Sequence, residues 1–313
     1  MPSDHPSPTV DLMPAGSMPA AEVEIDAGLV SQLVAEQYPH LGGLPVTPVR
    51  SAVVGWDNAL FRVGTELVAR LPRRQLGADL VAKEQLWLPQ LAPHLPAPIP
   101  VPLHRGVPGA GYPWAWTICE WFPGEPALAA GAEVTDWATI ARQLGAFLRA
   151  LHRPAPPGAP VNPWRSGPLA RRDASMRERL AALDDVVDVA AVRSEWDEVL
   201  GLPEWEGEPV WAHGDLHGGN VLVEREQITA VVDWGDLSAS DPAVDLIIAW
   251  AVLPAADRAI LREEAGVGAQ TWARGRGWAL ALAMAYVAYS LDNPMLGQMG
   301  HRMIKEILIE TQS

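Results

Sequence analysis

The chain has 313 residues, of which 49% are hydrophobic and 19% are charged, a balance that excludes an intrinsically disordered protein. The formal net charge of −15 argues against nucleic acid as a partner, because binding to phosphate backbones requires clustered Lys and Arg. A single cysteine, Cys119, excludes an internal disulfide and a cysteine-rich metal site, and indicates a reducing cytoplasm. The length fits one long domain or two lobes of ordinary size.

The N-terminal residues carry neither a basic start nor an apolar run, so they do not resemble a signal peptide, and residues 1–22 are predicted to be a mobile tail. Later apolar stretches, such as Trp278 to Tyr289, are shorter than a membrane span requires. We therefore expect a cytoplasmic protein with no membrane partner.

Residues 23–121 are predicted to form an N-terminal lobe. Pro48 to Leu71 contains three short Val, Ala and Leu-rich runs broken at glycines, which is typical of an antiparallel meander. Apolar residues at helical spacing predict a helix over Ala78 to Leu91. Two further strands are predicted at Val101–Val107 and Trp114–Trp121. The lobe should therefore be a five-stranded antiparallel sheet with one inserted helix.

Residues 122–313 are predicted to form a mainly helical lobe, which gives an α+β, bilobal fold. Thr135 is the predicted N-cap of a helix that runs to about His152, and Pro154 to Pro168 is predicted to be a loop. Further helices are predicted near Ala243–Leu253, Ala255–Glu264, Thr271–Leu291 and Pro294–Glu310. Short strands interrupt the helices only between Pro209 and Asp233.

The segment HGDLHGGN at 213–220, followed by VVDWGD at 231–236, carries the most informative chemistry. Phosphoryl transfer needs a carboxylate beside the acceptor hydroxyl and metal ligands beside the phosphates. Asp215 can supply the first, while Asn220 and Asp233 can supply the second. The competing interpretation is a pair of polar turns whose carboxylates cap helices or bind loop amides.

These two motifs resemble the catalytic and metal-binding loops of aminoglycoside phosphotransferases, which have a protein-kinase-like fold. The resemblance implies that Asp215 is the catalytic base, that Asn220 and Asp233 hold Mg²⁺, and that ATP or GTP is the donor. It also implies that His213 and Asp245 support the catalytic loop. Asp241 is a candidate helix N-cap.

The resemblance extends to a nucleotide site in the N-terminal lobe. The covering loop would span Ser51 to Asn58, with Gly55 as its only glycine, and the basic strand residue would be Arg70 where a Val-Ala-x-Lys motif has lysine. The acidic helix residue would be Glu84, although an exposed Arg70–Glu84 surface pair is the alternative. The hinge would comprise Glu120, Trp121 and Phe122.

For the acceptor, the resemblance favours a hydroxyl of an aminoglycoside or another cationic antibiotic, including a macrolide or a basic peptide, with resistance as the outcome. The candidate substrate residues are His217, Asp236, Glu263 and Glu264, and Asp257 and Asp292 are further carboxylates of the helical lobe. The alternative is that Asp257, Glu263, Glu264 and Asp292 belong to a solvated surface and bind no substrate. Kinases of choline, homoserine or amino-sugars share the motifs, and a ligand-sequestering pseudokinase is a further alternative. A monomer or weak homodimer is expected.

Overall fold

The computed structural model describes residues 20–49, 57–130, 134–290 and 293–311. The strands in these ranges are β1 Val46–Pro48, β2 Asn58–Val63, β3 Leu67–Pro72, β4 His104–Gly106, β5 Trp116–Glu120, β6 Glu125–Pro126, β7 Val210–Ala212, β8 Val221–Glu224, β9 Gln227–Val231 and β10 Ser238–Ser240. The α-helices are α1 Ala27–Gln37, α2 Gln75–Leu91, α3 Ala127–Ala130, α4 Trp137–Leu151, α5 Asp173–Ala182, α6 Val189–Leu200, α7 Ile247–Ala251, α8 Arg258–Glu264, α9 Ala269–Tyr289 and α10 Pro294–Thr311.

The N-terminal lobe contains a five-stranded antiparallel sheet with the strand order β1-β2-β3-β5-β4, which confirms the predicted sheet and its inserted helix. Phe61 and Val63 of β2 and Leu71 of β3 are buried against the apolar side of α1, where Leu33 is fully buried. Helix α1 itself was not predicted. Glu22, assigned from sequence to the tail, belongs to this lobe, because its backbone N–H donates to the carbonyl of Arg73 at 2.9 Å.

Helix α2 begins three residues before the predicted Ala78 and connects the two lobes. Its residues Leu88 and Leu91 pack into the core of the helical lobe. The Trp87 ring meets Trp211 of β7 edge to face, with 5.0 Å between the ring centroids. The start of the catalytic segment is therefore packed against the helix that carries Glu84.

The helical lobe confirms the predicted helical character and corrects one cap. Asp136, not Thr135, caps α4, because its carboxylate accepts the backbone N–H of Thr139 at 3.0 Å. Thr135 instead donates its hydroxyl to Glu226 at 2.7 Å. Asp241 accepts the N–H of Ala243 at 2.9 Å and begins a 3₁₀ turn, as predicted for an N-cap.

Two short β layers position the motif loops. Strand β7 pairs with β10, and β6, β8 and β9 form a second small antiparallel sheet. The 213–220 loop joins β7 to β8, and the 232–237 loop joins β9 to β10. Within the described ranges, no helix is both long and apolar enough to cross a membrane.

Candidate active site

The two motif loops are held against each other by backbone contacts. The N–H of Val232 donates to the carbonyl of Asn220 at 2.9 Å, and the Nε2 of His213 lies 3.0 Å from the carbonyl of Val232. Gly214 has a φ of +86°, and a Cβ there would lie 2.6 Å from the carbonyl oxygen of Asp236. Only glycine permits this conformation and this close approach of the second loop.

Asp245, which is fully buried, binds the start of the catalytic loop. Its carboxylate accepts the backbone N–H groups of His213 at 2.9 Å and Gly214 at 2.8 Å. The Nε2 of His152, at the end of α4, lies 3.1 Å from the same carboxylate. The two predicted support residues, His213 and Asp245, are thus in direct contact.

His213 is buried in its neutral form. Burial lowers its pKa, although the carboxylate of Asp245 opposes the shift. Its Nε2–H donates to Val232, so its Nδ1 is free to accept the backbone N–H of Asp215 at 3.3 Å. The imidazole therefore orients the backbone that carries Asp215.

The carboxylate of Asp215 lies between two cationic or polar side chains. Its Oδ1 is 2.9 Å from Nη2 of Arg165, and its Oδ2 is 3.5 Å from Nε2 of His217. Burial alone would raise the pKa of Asp215, but Arg165 and His217 outweigh burial and hold the pKa below its ordinary range. The group is therefore ionised and can accept a proton from a hydroxyl.

Asp233 and Asn220 offer side-chain oxygen atoms that accept no hydrogen bond from the described residues. Asp233 adopts a φ of +61°, and in the described part of the chain its carboxylate forms no hydrogen bond or ion pair. Burial raises its pKa to about 7, while Arg70 opposes the shift. The amide nitrogen of Asn220 donates to the carbonyl of Asp215 at 2.9 Å, which leaves its side-chain oxygen without a donor among the described residues.

These oxygens fit a magnesium ion. Mg²⁺ is commonly held by one or two protein oxygens together with phosphate oxygens and water. No group of three His, Cys, Asp or Glu side chains within the described ranges is arranged to hold a metal without a nucleotide. A divalent cation would also favour the ionised form of Asp233, which burial disfavours.

Arg70 and Glu84 form a buried pair on the N-terminal side of the site. The Nη1 and Nη2 atoms of Arg70 lie 3.0 and 3.1 Å from the two carboxylate oxygens of Glu84. Their exposed fractions are 8% and 5%, so the alternative of a surface ion pair is wrong. Burial would lower the pKa of Arg70, but Glu84 and Asp233 raise it, so the guanidinium is charged.

The structure describes some of the other residues that were predicted to bind the nucleotide. Ser51 and Gly55 lie outside the described residues, and Asn58 is the first residue of β2. Glu120 ends β5 and is exposed, whereas Phe122 is buried. The N–H of Trp121 donates to the carbonyl of Glu66 at 2.8 Å, and its ring stacks on the guanidinium of Arg62 at 4.1 Å.

Three residues at this site were not predicted from the sequence. Asn162 donates to Asp236 at 2.6 Å, and Arg165 contacts both Asp236, at 3.4 Å, and Asp215. Both residues belong to the segment predicted to be only a Pro-rich loop. Lys83, beside Glu84 in the sequence, donates to the carbonyl of Gly235 in the second motif loop. The sequence offered two signals for these residues: the Asn-Pro pair that begins at Asn162, which is typical of a turn, and the lysine that directly precedes Glu84.

Two of the four predicted substrate residues are at the site, and two are not. His217 and Asp236 lie beside Asp215 through the contacts described above. Glu264 pairs instead with Arg149 of α4. Glu263 lines a cavity of about 690 Å³ with Arg258 and Trp272, and Asp215 is not among the residues that line it. Asp292 lies outside the described residues.

The sequence of this chain is similar to those of known proteins. The sequence matches the phosphotransferase enzyme family over residues 49–278. An uncharacterized protein, YcbJ of Bacillus subtilis strain 168, is 24% identical over 237 residues, which are 67% of this chain and 71% of that protein.

Solved structures share the fold over almost the whole chain. The GDP and kanamycin complex of APH(2'')-IIIa matches 90% of this chain and 98% of its own, with a TM-score of 0.66 and 19% identity. Macrolide 2'-phosphotransferase MphH from Brachybacterium faecium matches 90% of this chain and 97% of its own, with a TM-score of 0.59 and 25% identity. The chain belongs to the phosphotransferase enzyme family and has a protein-kinase-like fold.

Proposed function

We propose that this chain transfers the γ-phosphoryl group of ATP or GTP to a hydroxyl of an antibiotic-like small molecule. The observation that carries the proposal is the convergence of Asp215, Asn220 and Asp233 on two loops bonded to each other. The nucleotide would lie between the lobes, with its base at the hinge of Glu120 to Phe122 and its phosphates near Arg70. Structural neighbours solved with GDP or ATP support a nucleotide donor.

Asp215 aligns the acceptor in this mechanism. The acceptor hydroxyl donates a hydrogen bond to the Asp215 carboxylate, its oxygen attacks the γ-phosphorus in line, and the bond to the β-phosphate oxygen breaks. The hydroxyl proton passes to Asp215, and the nucleoside diphosphate leaves. Asn220 and Asp233 would hold Mg²⁺, which neutralises charge on the phosphate oxygens. Arg165 keeps Asp215 ionised until the proton is transferred.

The acceptor is proposed to be an aminoglycoside, a macrolide or a related antibiotic, so that phosphorylation confers resistance. Support comes from a neighbour solved with kanamycin and from a macrolide 2'-phosphotransferase. The family resemblance favoured a cationic antibiotic, and carboxylates of the helical lobe were its candidate contacts. Glu264 is paired with Arg149 and Glu263 lies in a separate cavity, so these two carboxylates do not support a cationic acceptor.

A coupled ADP- and GDP-release screen tests the proposal. The acceptors are aminoglycosides, macrolides, basic peptide antibiotics, choline, homoserine and amino-sugars, each with and without Mg²⁺. Turnover of an antibiotic, together with resistance in a bacterial host, is expected. Turnover only of a metabolite would contradict the resistance role and retain the kinase. Nucleotide binding with no turnover of any acceptor would identify a sequestering pseudokinase.

A further inference from the structure

Three arginines between α4 and the end of α5 form a cluster beside the catalytic carboxylate: Arg165, Arg172 and Arg179, here called the arginine cluster. Arg165 contacts Asp215 at 2.9 Å. The guanidinium of Arg172 lies over the ring of Trp164, 5.5 Å from its centroid, and donates to the carbonyl of Pro163 at 3.0 Å. It is thereby held against the two residues that precede Arg165.

Arg179 extends the cluster along α5. Arg172 ends the 3₁₀ turn that precedes α5, and Arg179 lies in α5, where its positive charge acts on Arg172. The guanidinium of Arg179 lies over the ring of Tyr289, 5.5 Å from the centroid, at the end of α9. The cluster therefore reaches from the catalytic loop to the end of α9.

The charges of the cluster are only partly neutralised. Asp215 and Asp236 neutralise Arg165, but within the described ranges Arg172 and Arg179 form no ion pair, and their buried Nε atoms have no hydrogen-bond acceptor. Burial lowers the pKa of Arg172, and the like charges of Arg165 and Arg179 lower it further. Two cations without counterions are thus held close to the site.

Carboxylates neutralise the other arginine of α5. Arg177 pairs with Asp173 at 2.9 Å and with Asp197 at 2.8 Å. The chain as a whole has 38 acidic and 23 basic residues. Arg172 and Arg179 thus form no ion pair within the described ranges although the chain is rich in carboxylates.

Tyr286 of α9 adds a further unpaired group on the same side. Its ring meets His217 edge to face, with 5.7 Å between the centroids. Its hydroxyl is buried and has no hydrogen-bond partner among the described residues. Burial and the nearby charge of Asp215 raise its pKa well above the ordinary value, so the group remains an O–H donor.

We propose that the acceptor carries an anionic oxygen group, a carboxylate, sulfate or phosphate, which binds the arginine cluster and Tyr286 while its hydroxyl meets Asp215. This inference rests on the proposed phosphoryl transfer to a hydroxyl, and among the proposed acceptors it selects a related antibiotic that carries an anionic group over a polycationic aminoglycoside. Anionic oxygens accept hydrogen bonds from guanidinium and phenol donors and neutralise the two unpaired charges. The ammonium groups of a polycation offer only donors, and two unpaired guanidiniums repel them.

The test uses three sugars that share a pyranose ring and differ in charge: glucuronate, N-acetylglucosamine and glucosamine. Each is titrated into the full chain saturated with Mg²⁺ and a non-hydrolysable ATP analogue. Glucuronate should bind at least about tenfold more tightly than glucosamine, with N-acetylglucosamine between them, and the preference should shrink as salt rises.

Variants assign this preference to the cluster. Arg172→Gln and Arg179→Gln should each weaken glucuronate binding at least about fivefold, and thermal melts check that each variant folds. Arg177→Gln is the matched control, because it removes an arginine charge from the same helix but one that carboxylates already neutralise.

Glucosamine binding equal to that of glucuronate, no binding of any sugar, or equal losses in Arg177→Gln and in the cluster variants would each overturn the inference. The proposed function fails separately, if the wild-type chain does not bind the magnesium nucleotide before any sugar is added. Selective glucuronate binding in the absence of nucleotide would then support the proposed site for an anionic group, although the kinase function would be refuted.

Discussion

At the scale of single residues, substitution of Asp215 separates an effect on the phosphoryl-transfer step from an effect on nucleotide binding. Its carboxylate faces Arg165 and His217 on the acceptor side and makes no contact with Arg70 or Glu84. Asp215→Asn should therefore lower kcat at least about 100-fold and change nucleotide affinity by less than about threefold. Steady-state kinetics and calorimetry measure the two effects. A loss confined to nucleotide binding would contradict the assigned role.

The Arg70–Glu84 pair predicts an effect on both stability and nucleotide binding. Arg70→Ala leaves a buried carboxylate without its partner, and breaking such a pair typically costs about 3–5 kcal/mol. Arg70→Lys should recover part of the stability and part of the nucleotide affinity, because it restores the charge without the two-pronged contact. Urea unfolding and calorimetry provide the measurements.

The matched control for Arg70 is Arg177→Ala, which breaks an exposed pair and should leave both properties unchanged. If Arg70→Ala were as stable as the wild type, the buried pair would contribute nothing to the fold.

At the scale of elements, α2 joins the nucleotide side of the site to the second motif loop. Glu84 binds Arg70, Lys83 binds the carbonyl of Gly235, and Trp87 packs on Trp211. Burial lowers the pKa of Lys83, while Asp236 and Glu84 oppose the shift. The position of the loop that carries Asp233 is therefore coupled to the position of this helix.

Lys83→Met should weaken nucleotide binding in the presence of Mg²⁺ at least about fivefold and leave binding in EDTA nearly unchanged. The reason is that Lys83 donates to the loop of Asp233 and, among the described residues, forms no hydrogen bond or ion pair with a predicted nucleotide-binding residue. Paired titrations with and without Mg²⁺ measure this difference. Gln90→Met is the control on the same helix, since the side chain of Gln90 bonds, in the described part of the chain, only to the carbonyl of Leu86 in the preceding turn. Equal weakening with and without the metal would refute the coupling.

The elements that could be predicted from the sequence are those whose signal is local. The 213–220 and 231–236 motifs and their flanking strands lie between residues 210 and 240, and the cap on α4 was misplaced by only one residue. Arg165 could not be predicted, because its partners Asp215 and Asp236 lie 50 and 71 residues away. Glu263 and Glu264 were misjudged because the sequence does not show which neighbour a short helix faces.

At the scale of the whole molecule, Asp233 links activity to stability. Its pKa in the folded chain is raised by burial to about 7, whereas an unfolded aspartate has its ordinary pKa near 3.8. The folded state therefore binds more protons than the unfolded state between these values. The contribution of the Asp233 carboxyl group to the free energy of unfolding is fully present below the unfolded pKa and is lost as the pH rises through about 7.

Without metal, Asp233→Asn should be more stable than the wild type at pH 8, by on the order of 2–4 kcal/mol, and equally stable near pH 4. The same variant should lose magnesium-dependent turnover, because one proposed ligand is gone. Denaturant unfolding in EDTA at several pH values measures the first effect. A stability difference that does not change with pH would show that burial of the carboxylate is not its source.

The bonds of Asp245 also bear on the order of events during synthesis. The ribosome makes the HGDLHGGN segment about thirty residues before it reaches Asp245, whose carboxylate holds the first amides of that segment. A nascent chain that stops just short of Asp245 carries Asp215, Asn220 and Asp233 but lacks the group that arranges them. Translation thus delays assembly of the catalytic loop until the strands and helix α4 around it have been made.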